Sequence, residues 1–256
     1  MSVTGRGVCA VIPAAGRGTR LGAAVPKIMI EVADGVTVWH LLHRRLRPYV
    51  DHLHVVVSPE GEAAFRRLVA GEIAGGAVSV SVQERPTGMG DAVFGAAPHW
   101  EAHDTALVVW GDQVNLAPAT VREVVRAHRQ AAGPALTLPL VPLPDPYVEY
   151  EVVSGGLRRV RMSREGDACR PGGLSDVGVF CLSTAGLREA WERYLATAAR
   201  GSVTGEVNFL PFLPHLSLVH GWEVRTVPVT DPGEARGVNT PDDLEFARRA
   251  FQRWAR

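Results

Sequence analysis

The run TALVVWGD at 105–112 is apolar on successive residues until it ends in Gly111-Asp112. A strand that reads this way is buried on both faces, the condition of an inner strand in a parallel sheet covered by helices. VCAVIP (8–13) and HLHVVVS (52–58) read similarly, and VSVSVQ (78–83) alternates. Helical patterns separate these strands: VTVWHLLHRRLRPY (36–49), EGEAAFRRLVAGEIA (60–74), the short DAVFGAAPHW (91–100), and PATVREVVRAHRQAA (118–132), stopped by Gly133-Pro134 and followed by a strand through Leu140. Such alternation predicts right-handed βαβ units and a mixed, mostly parallel sheet. The expected fold class is α/β, in three Rossmann-like layers (α/β/α).

The chain changes character from Leu136 to Gly173, where Pro, Gly and Arg accumulate and no helical pattern appears. YEVV (150–153) and LRRVRM (157–162) are strand-like, so an antiparallel excursion around 136–176 is expected within one domain spanning 1–256. DVGVFCLS (176–183) reads as the return to the main sheet, TAGLREAWERYLATAAR (184–200) as a helix and WEVRTVPV (222–229) as a strand. Thr240-Pro241-Asp242-Asp243 offers an N-cap, a proline at the first helical position and an acidic third residue, which predicts a final helix.

Composition excludes several functions. The 27 Lys+Arg balance the 27 Asp+Glu, so no net field draws the chain to nucleic acid or an anionic membrane. No run of 18 apolar residues occurs, so no membrane span is expected. MSVTGRG lacks the long apolar segment of a signal peptide. Cys9, Cys169 and Cys181 are far apart and form no CxxC, which argues against a zinc site or a disulfide framework and for a reducing, cytoplasmic setting.

The segment VIPAAGRGTRLGAAVPK (11–27) follows the first strand. Ligands bind open parallel sheets at the C-terminal ends of strands, and glycines let backbone N–H groups approach an anion. Two common phosphate loops fail here. Leu21 follows Gly16-Arg17-Gly18-Thr19-Arg20 and Pro26 interrupts any helix, which excludes the dinucleotide fingerprint. Lys27 stands between Pro26 and Ile28, which excludes Walker A.

The string Ala14-Ala15-Gly16-Arg17-Gly18-Thr19-Arg20-Leu21 with Pro26-Lys27 resembles the signature of the sugar-1-phosphate nucleotidyltransferases, nearest to the pyrophosphorylase domain of the N-acetylglucosamine-1-phosphate uridyltransferases. QERPTGMGDA (83–92), VVWGDQ (108–113), VGVFCL (177–182), TGEVNFLPFL (204–213) and GVNTPDDLEFAR (237–248) resemble further pieces of that family, in the same order. The resemblance implies a GT-A-type fold and attack by a phosphate monoester on the α-phosphorus of a nucleoside triphosphate. The implied partners are that triphosphate and a phosphorylated small-molecule acceptor, in a monomer or homodimer. Ala14, Ala15, Gly16, Arg17, Gly18 and Thr19 would cradle the triphosphate, with Gln83, Thr87, Gly88 and Gly111 completing the nucleotide site. Arg20 and Lys27 would act on the phosphates, and Asp112 and Asn239 would bind Mg²⁺. Glu149, Asp176, Gly178 and Glu206 would meet the acceptor. No hexapeptide repeat follows, so acetyl transfer is not expected.

The chain departs from this family around the acceptor. DPYVEY (145–150) places Glu149 near an expected glycine, and Ser163 or Glu165 stands where a glutamate is expected. Arg158, Arg159, Arg161 and Arg164 would either bind a second anionic group or line a solvated hairpin. The base remains open among uracil, thymine, cytosine and guanine. A cytidylyltransferase for a non-sugar phosphate or phosphonate, and a non-catalytic nucleotide-sensing subunit, are the alternatives.

Overall fold

The first strand, β1 (Val8–Pro13), is buried along its whole length. Val8, Ala10 and Ile12 join one hydrophobic core, whereas Cys9 and Val11 join another. A split by parity is what a strand covered on both faces requires. The computed structural model describes residues 7–16, 25–203 and 205–254. After β1 come β2 (Glu31–Ala33), β3 (Val36–Thr37), α1 (Val38–Leu46), β4 (His52–Val57), α2 (Pro59–Leu68), α3 (Ala70–Ala74) and β5 (Val78–Val82). Next are α4 (Met89–Gly95), α5 (Ala97–Trp100), β6 (Thr105–Val109), α6 (Pro118–His128), β7 (Ala135–Pro142), β8 (Val148–Val153) and β9 (Gly156–Met162). The chain closes with β10 (Leu174–Asp176), β11 (Val179–Ser183), α7 (Leu187–Leu195), α8 (Phe212–Leu218), β12 (Glu223–Pro228) and α9 (Pro241–Trp254).

Eight strands make the main sheet, in the order β10-β7-β11-β6-β1-β4-β5, with β12 also on β7. β1 is parallel to both β4 and β6, β5 is parallel to β4, and β12 is parallel to β7. β10 and β11 run antiparallel to their neighbours. One core gathers Trp39 of α1, Phe65 of α2, Val121 and Val124 of α6 and Ala247 of α9. The other gathers Val93, Trp100, Trp191 and Phe212 from α4, α5, α7 and α8. Each fully buried Leu or Phe on these faces contributes roughly 1.5–3 kcal/mol relative to exposure. The three layers are therefore those expected.

The excursion is narrower than expected. Residues 136–142 belong to β7, a main-sheet strand whose backbone pairs with strands on both sides. Only the β8–β9 hairpin leaves the sheet. The pattern at 60–74 breaks at Val69 (φ −107°, ψ 22°) into α2 and α3, where Gly71 weakens helix propensity. The helix expected over 118–132 ends at His128, and the one over 184–200 spans Leu187–Leu195 after Gly186. Among the described residues no helix is long and apolar enough to cross a membrane.

Candidate active site

Four chain segments meet at the C-terminal ends of the parallel strands. The N–H of Gly111, just past β6, donates to Pro13 O at 3.3 Å, and Ala14 N donates to Val56 O at 2.7 Å. These bonds bring the start of the glycine-rich segment beside Asp112. Pro26 is extended (φ −52°, ψ 145°) and starts a 3₁₀ turn, Lys27–Met29, whose Ile28 is fully buried. Anchored by that side chain, the turn aims Lys27 back over the strand ends. Lys27 Nζ lies 2.6 Å from Asn239 Oδ1 and 3.4 Å from Asp112 Oδ2.

The segment carrying Asn239 is clasped onto the loop after β6. Val238 N donates to Asp112 O at 3.0 Å, Asn115 Nδ2 to Arg236 O at 2.7 Å, and Ala117 N to Glu234 Oε2 at 2.8 Å. The expected cap of α9 forms reciprocally: Asp243 N donates to Thr240 Oγ1 (3.2 Å) and Thr240 N to Asp243 Oδ2 (2.8 Å). The same carboxylate receives Asn239 N at 3.1 Å, so the helix start also orients the asparagine. Gly237 is required by close approach, because a Cβ there would stand 2.9 Å from Asp112 Oδ1.

Asp112 and Asn239 form one end of a cavity of about 290 Å³, whose wall also includes Trp110, Gln113, Tyr147, Arg164, Glu165, Asp176, Glu206 and Asn208. Burial pushes the Asp112 carboxyl above the usual range, with the Lys27 charge pulling it back. Burial raises Asp176 too, while the Gly178 N–H (2.7 Å) opposes it and the Asp112 charge adds to it. Two carboxylates that resist ionisation in one cavity, with an ammonium between Asp112 and Asn239, make a place for added positive charge.

A second cavity of about 340 Å³ opens at the C-terminal ends of β4 and β5, lined by Val56, Ser81, Gln83, Arg85, Thr87 and Asp91 among others. Gln83 Nε2 donates to Gly88 O at 3.0 Å and holds the loop closed. A Cβ on Gly88 would approach Glu206 Oε2 to 3.5 Å, so this loop packs against the segment that carries Glu206 of the first cavity.

Of the expected site residues, Lys27, Asp112 and Asn239 come together, Asp176 and Glu206 line the first cavity, and Gln83 and Thr87 line the second. Arg17, Gly18, Thr19 and Arg20 lie outside the described residues. Two acceptor expectations are corrected. Glu149 is fully buried outside the first cavity's wall and holds the hairpin to the next loop, receiving Arg170 N (2.8 Å) and pairing with the Arg170 and Arg161 guanidiniums. Burial raises its pKa, and these partners outweigh that and hold it below the usual carboxylate range. Gly178 has φ +73°, and a Cβ there would strike the Gln113 side chain, so it makes room for Gln113 and does not itself line the cavity.

Between Ser163 and Glu165, Glu165 reaches the cavity wall and receives Asn208 Nδ2 at 3.2 Å, while Ser163 Oγ donates to Tyr147 O. Arg159 pairs with Asp167 and Arg161 with Glu149 and Glu151, which leaves Arg164 as the one arginine of the four on the wall. Gln113 and Trp110 were not singled out, although adjacency to Asp112 was a usable signal. Tyr147 carried none, because its approach depends on how the hairpin folds back.

The chain is 29% identical over 241 residues to the bifunctional protein GlmU of Desulfitobacterium hafniense, covering 93% of this chain and 51% of that protein. It is 30% identical over 254 residues to GlmU of Kineococcus radiotolerans, covering 95% and 50%. The chain thus spans about half the length of these relatives. A crystal structure assigned as a glucose-1-phosphate thymidylyltransferase from Bacillus anthracis, in complex with a sucrose, shares the fold with a TM-score of 0.74 at 13% identity, covering 94% of each chain. The model of the MobA-like NTP transferase domain matches residues 10–141, more than half of the chain, and the chain belongs to that family.

Proposed function

We propose that this chain transfers a nucleoside monophosphate from a nucleoside triphosphate to a sugar phosphate or sugar-like phosphate and releases pyrophosphate, as an NDP-sugar pyrophosphorylase does. The observation that carries the reading is the convergence of Lys27, Asp112 and Asn239 beside the start of the glycine-rich segment, at the mouth of a cavity fit for a small acceptor. The nucleophile is already anionic, so the reaction needs positioning and charge neutralisation more than a base. Lys27 would hold the α-phosphate and the incoming phosphate together. Arg17 or Arg20 would meet the leaving phosphates. Asp176, Glu165 and Glu206 offer acceptors to the hydroxyls of the acceptor body.

The residues present suit Mg²⁺. Asp112 supplies a carboxylate and Asn239 a neutral amide oxygen, and a cation, the Lys27 ammonium, already lies within reach of both. Mg²⁺ is commonly held by one or two carboxylates with substrate phosphates, so no larger protein cage is required. When bound it would neutralise the phosphates undergoing transfer. A matrix of triphosphates against phosphorylated acceptors, scored by pyrophosphate release, tests the reading. Release that falls at least a hundredfold in Asp112→Ala is expected; full activity in that variant, or a flat matrix with the parent chain, would refute it.

A further inference from the structure

On the sheet face covered by α4 and α5, polar side chains run in a line toward the second cavity. His52 Nδ1 lies 3.2 Å from Gly76 O, and His52 Nε2 lies 2.7 Å from Ser79 Oγ. The same hydroxyl is 2.7 Å from His54 Nδ1, and His54 Nε2 is 2.8 Å from Ser81 Oγ. One end of this line fixes every proton in it. A carbonyl oxygen only accepts, so His52 Nδ1 donates. In a neutral imidazole the other nitrogen then accepts, and Ser79 gives its single proton to His52 Nε2. Ser79 must therefore accept from His54 Nδ1, which leaves His54 Nε2 bare, and Ser81 gives its proton there. Burial lowers the pKa of both rings, His54 to about 3 with His99, His52 and Arg66 adding like charge, so both are neutral at pH 7. His99 stacks on His54 at 3.8 Å and holds its plane.

Ser81 thus faces the cavity with lone pairs only. Gln83, next on that face, is similarly committed, because its amide nitrogen donates to Gly88 O at 3.0 Å and to Thr87 Oγ1 at 3.5 Å, which leaves Oε1 as the free end. Thr87 Oγ1 donates to Arg85 O at 3.4 Å, and Asp91 adds a carboxylate to the wall. Arg85 is the one cationic donor among the described lining residues, and it is exposed. The cavity stands beside Val56, whose carbonyl holds Ala14 at the start of the glycine-rich segment. From this wall of acceptors we infer that the second cavity takes a base bearing an exocyclic amino group, as cytosine, adenine and guanine do, and discriminates against uracil and thymine. The inference rests on the reading of this chain as one that binds a nucleoside triphosphate.

Isothermal titration of the full chain with CTP, GTP, ATP, UTP and dTTP, each with Mg²⁺, tests it without knowledge of the acceptor. At least one amino-bearing triphosphate should bind about tenfold tighter than UTP and dTTP, since an acceptor of this wall that faces a carbonyl loses its hydrogen bond. UTP or dTTP binding as tightly as the best of the other three overturns the inference. His54 is a positioning residue, and His54→Phe keeps a ring against His99 while freeing the Ser81 proton. The discrimination ratio should fall severalfold in that variant and in Ser81→Ala; an equal loss for all five nucleotides would count against the chain of protons. Nitrogen-15 NMR of His54 in the free protein should find the Nδ1-protonated tautomer, and an Nε2-protonated ring overturns the proton order whatever binds. Failure of all five nucleotides to bind overturns the nucleotidyltransferase reading itself, whereas binding without discrimination overturns this inference alone.

Discussion

An alanine methyl at position 237 would stand 2.9 Å from Asp112 Oδ1, closer than carbon and oxygen tolerate. The carboxylate would have to turn away from Lys27 and Asn239. Gly237→Ala is therefore expected to lower pyrophosphate release by about tenfold or more while leaving circular dichroism and thermal midpoint close to the parent. Glu149 is the opposite case, a buried charge whose role is structural. Glu149→Ala takes the carboxylate from Arg170 N and from both guanidiniums, of which Arg161 keeps Glu151 and Arg170 reaches solvent, and a loss of roughly 1–3 kcal/mol in urea unfolding is expected. The meeting of Lys27, Asp112 and Asn239 was legible in the sequence because each belongs to a short string that keeps the order of the family it resembles. Glu149 was misread because its place depends on Arg170, 21 residues away, and on how the β8–β9 hairpin meets that loop. Gln113 was missed because its position follows from the left-handed backbone of Gly178, a tertiary fact.

Among the elements, the strands were the most legible, since continuous apolar runs and parity leave few alternatives. Helix ends were less so, because termination at His128 or Val69 is decided by local dihedral angles and not by periodicity. The contacts between strands also set how the molecule responds to acid. His54, between β4 and β5, is lowered to about 3 by burial, with charge from His99, His52 and Arg66. His128, on α6 against Thr137 of β7 (3.0 Å), is lowered to about 4 by burial, with charge from Arg225. Both rings bind protons more readily unfolded than folded. Their stabilising contribution is whole above the unfolded value of about 6.5 and drains as pH falls toward the folded values. By pH 4 the loss is expected to reach on the order of 3 kcal/mol per ring, read as a falling urea midpoint between pH 7 and pH 4. A His128→Gln variant should flatten part of that slope. A midpoint that does not fall in acid would contradict the burial of both rings.

At the scale of the whole molecule, the site depends on closure of the chain's ends, since Lys27 and Asn239 are 212 residues apart in sequence and 2.6 Å apart in space. That meeting was legible only through the order of the motifs, because no local pattern says that a C-terminal segment crosses back over the strand ends. The clasp from Asn115 and Ala117 to the Glu234–Arg236 stretch makes the return a property of the fold and not of any ligand. Lys27, 3.4 Å from Asp112, also sets a positive charge beside that carboxylate from within the chain. Chelation by EDTA is therefore expected to stop pyrophosphate release while leaving the urea midpoint where it was; a fall in the midpoint would mean that the ion is part of the scaffold. Under the proposed function Lys27 is a tethered counter-ion, so maturation and loading would be separate events. On that reading the chain would finish folding where magnesium is scarce and stand assembled until a triphosphate arrives.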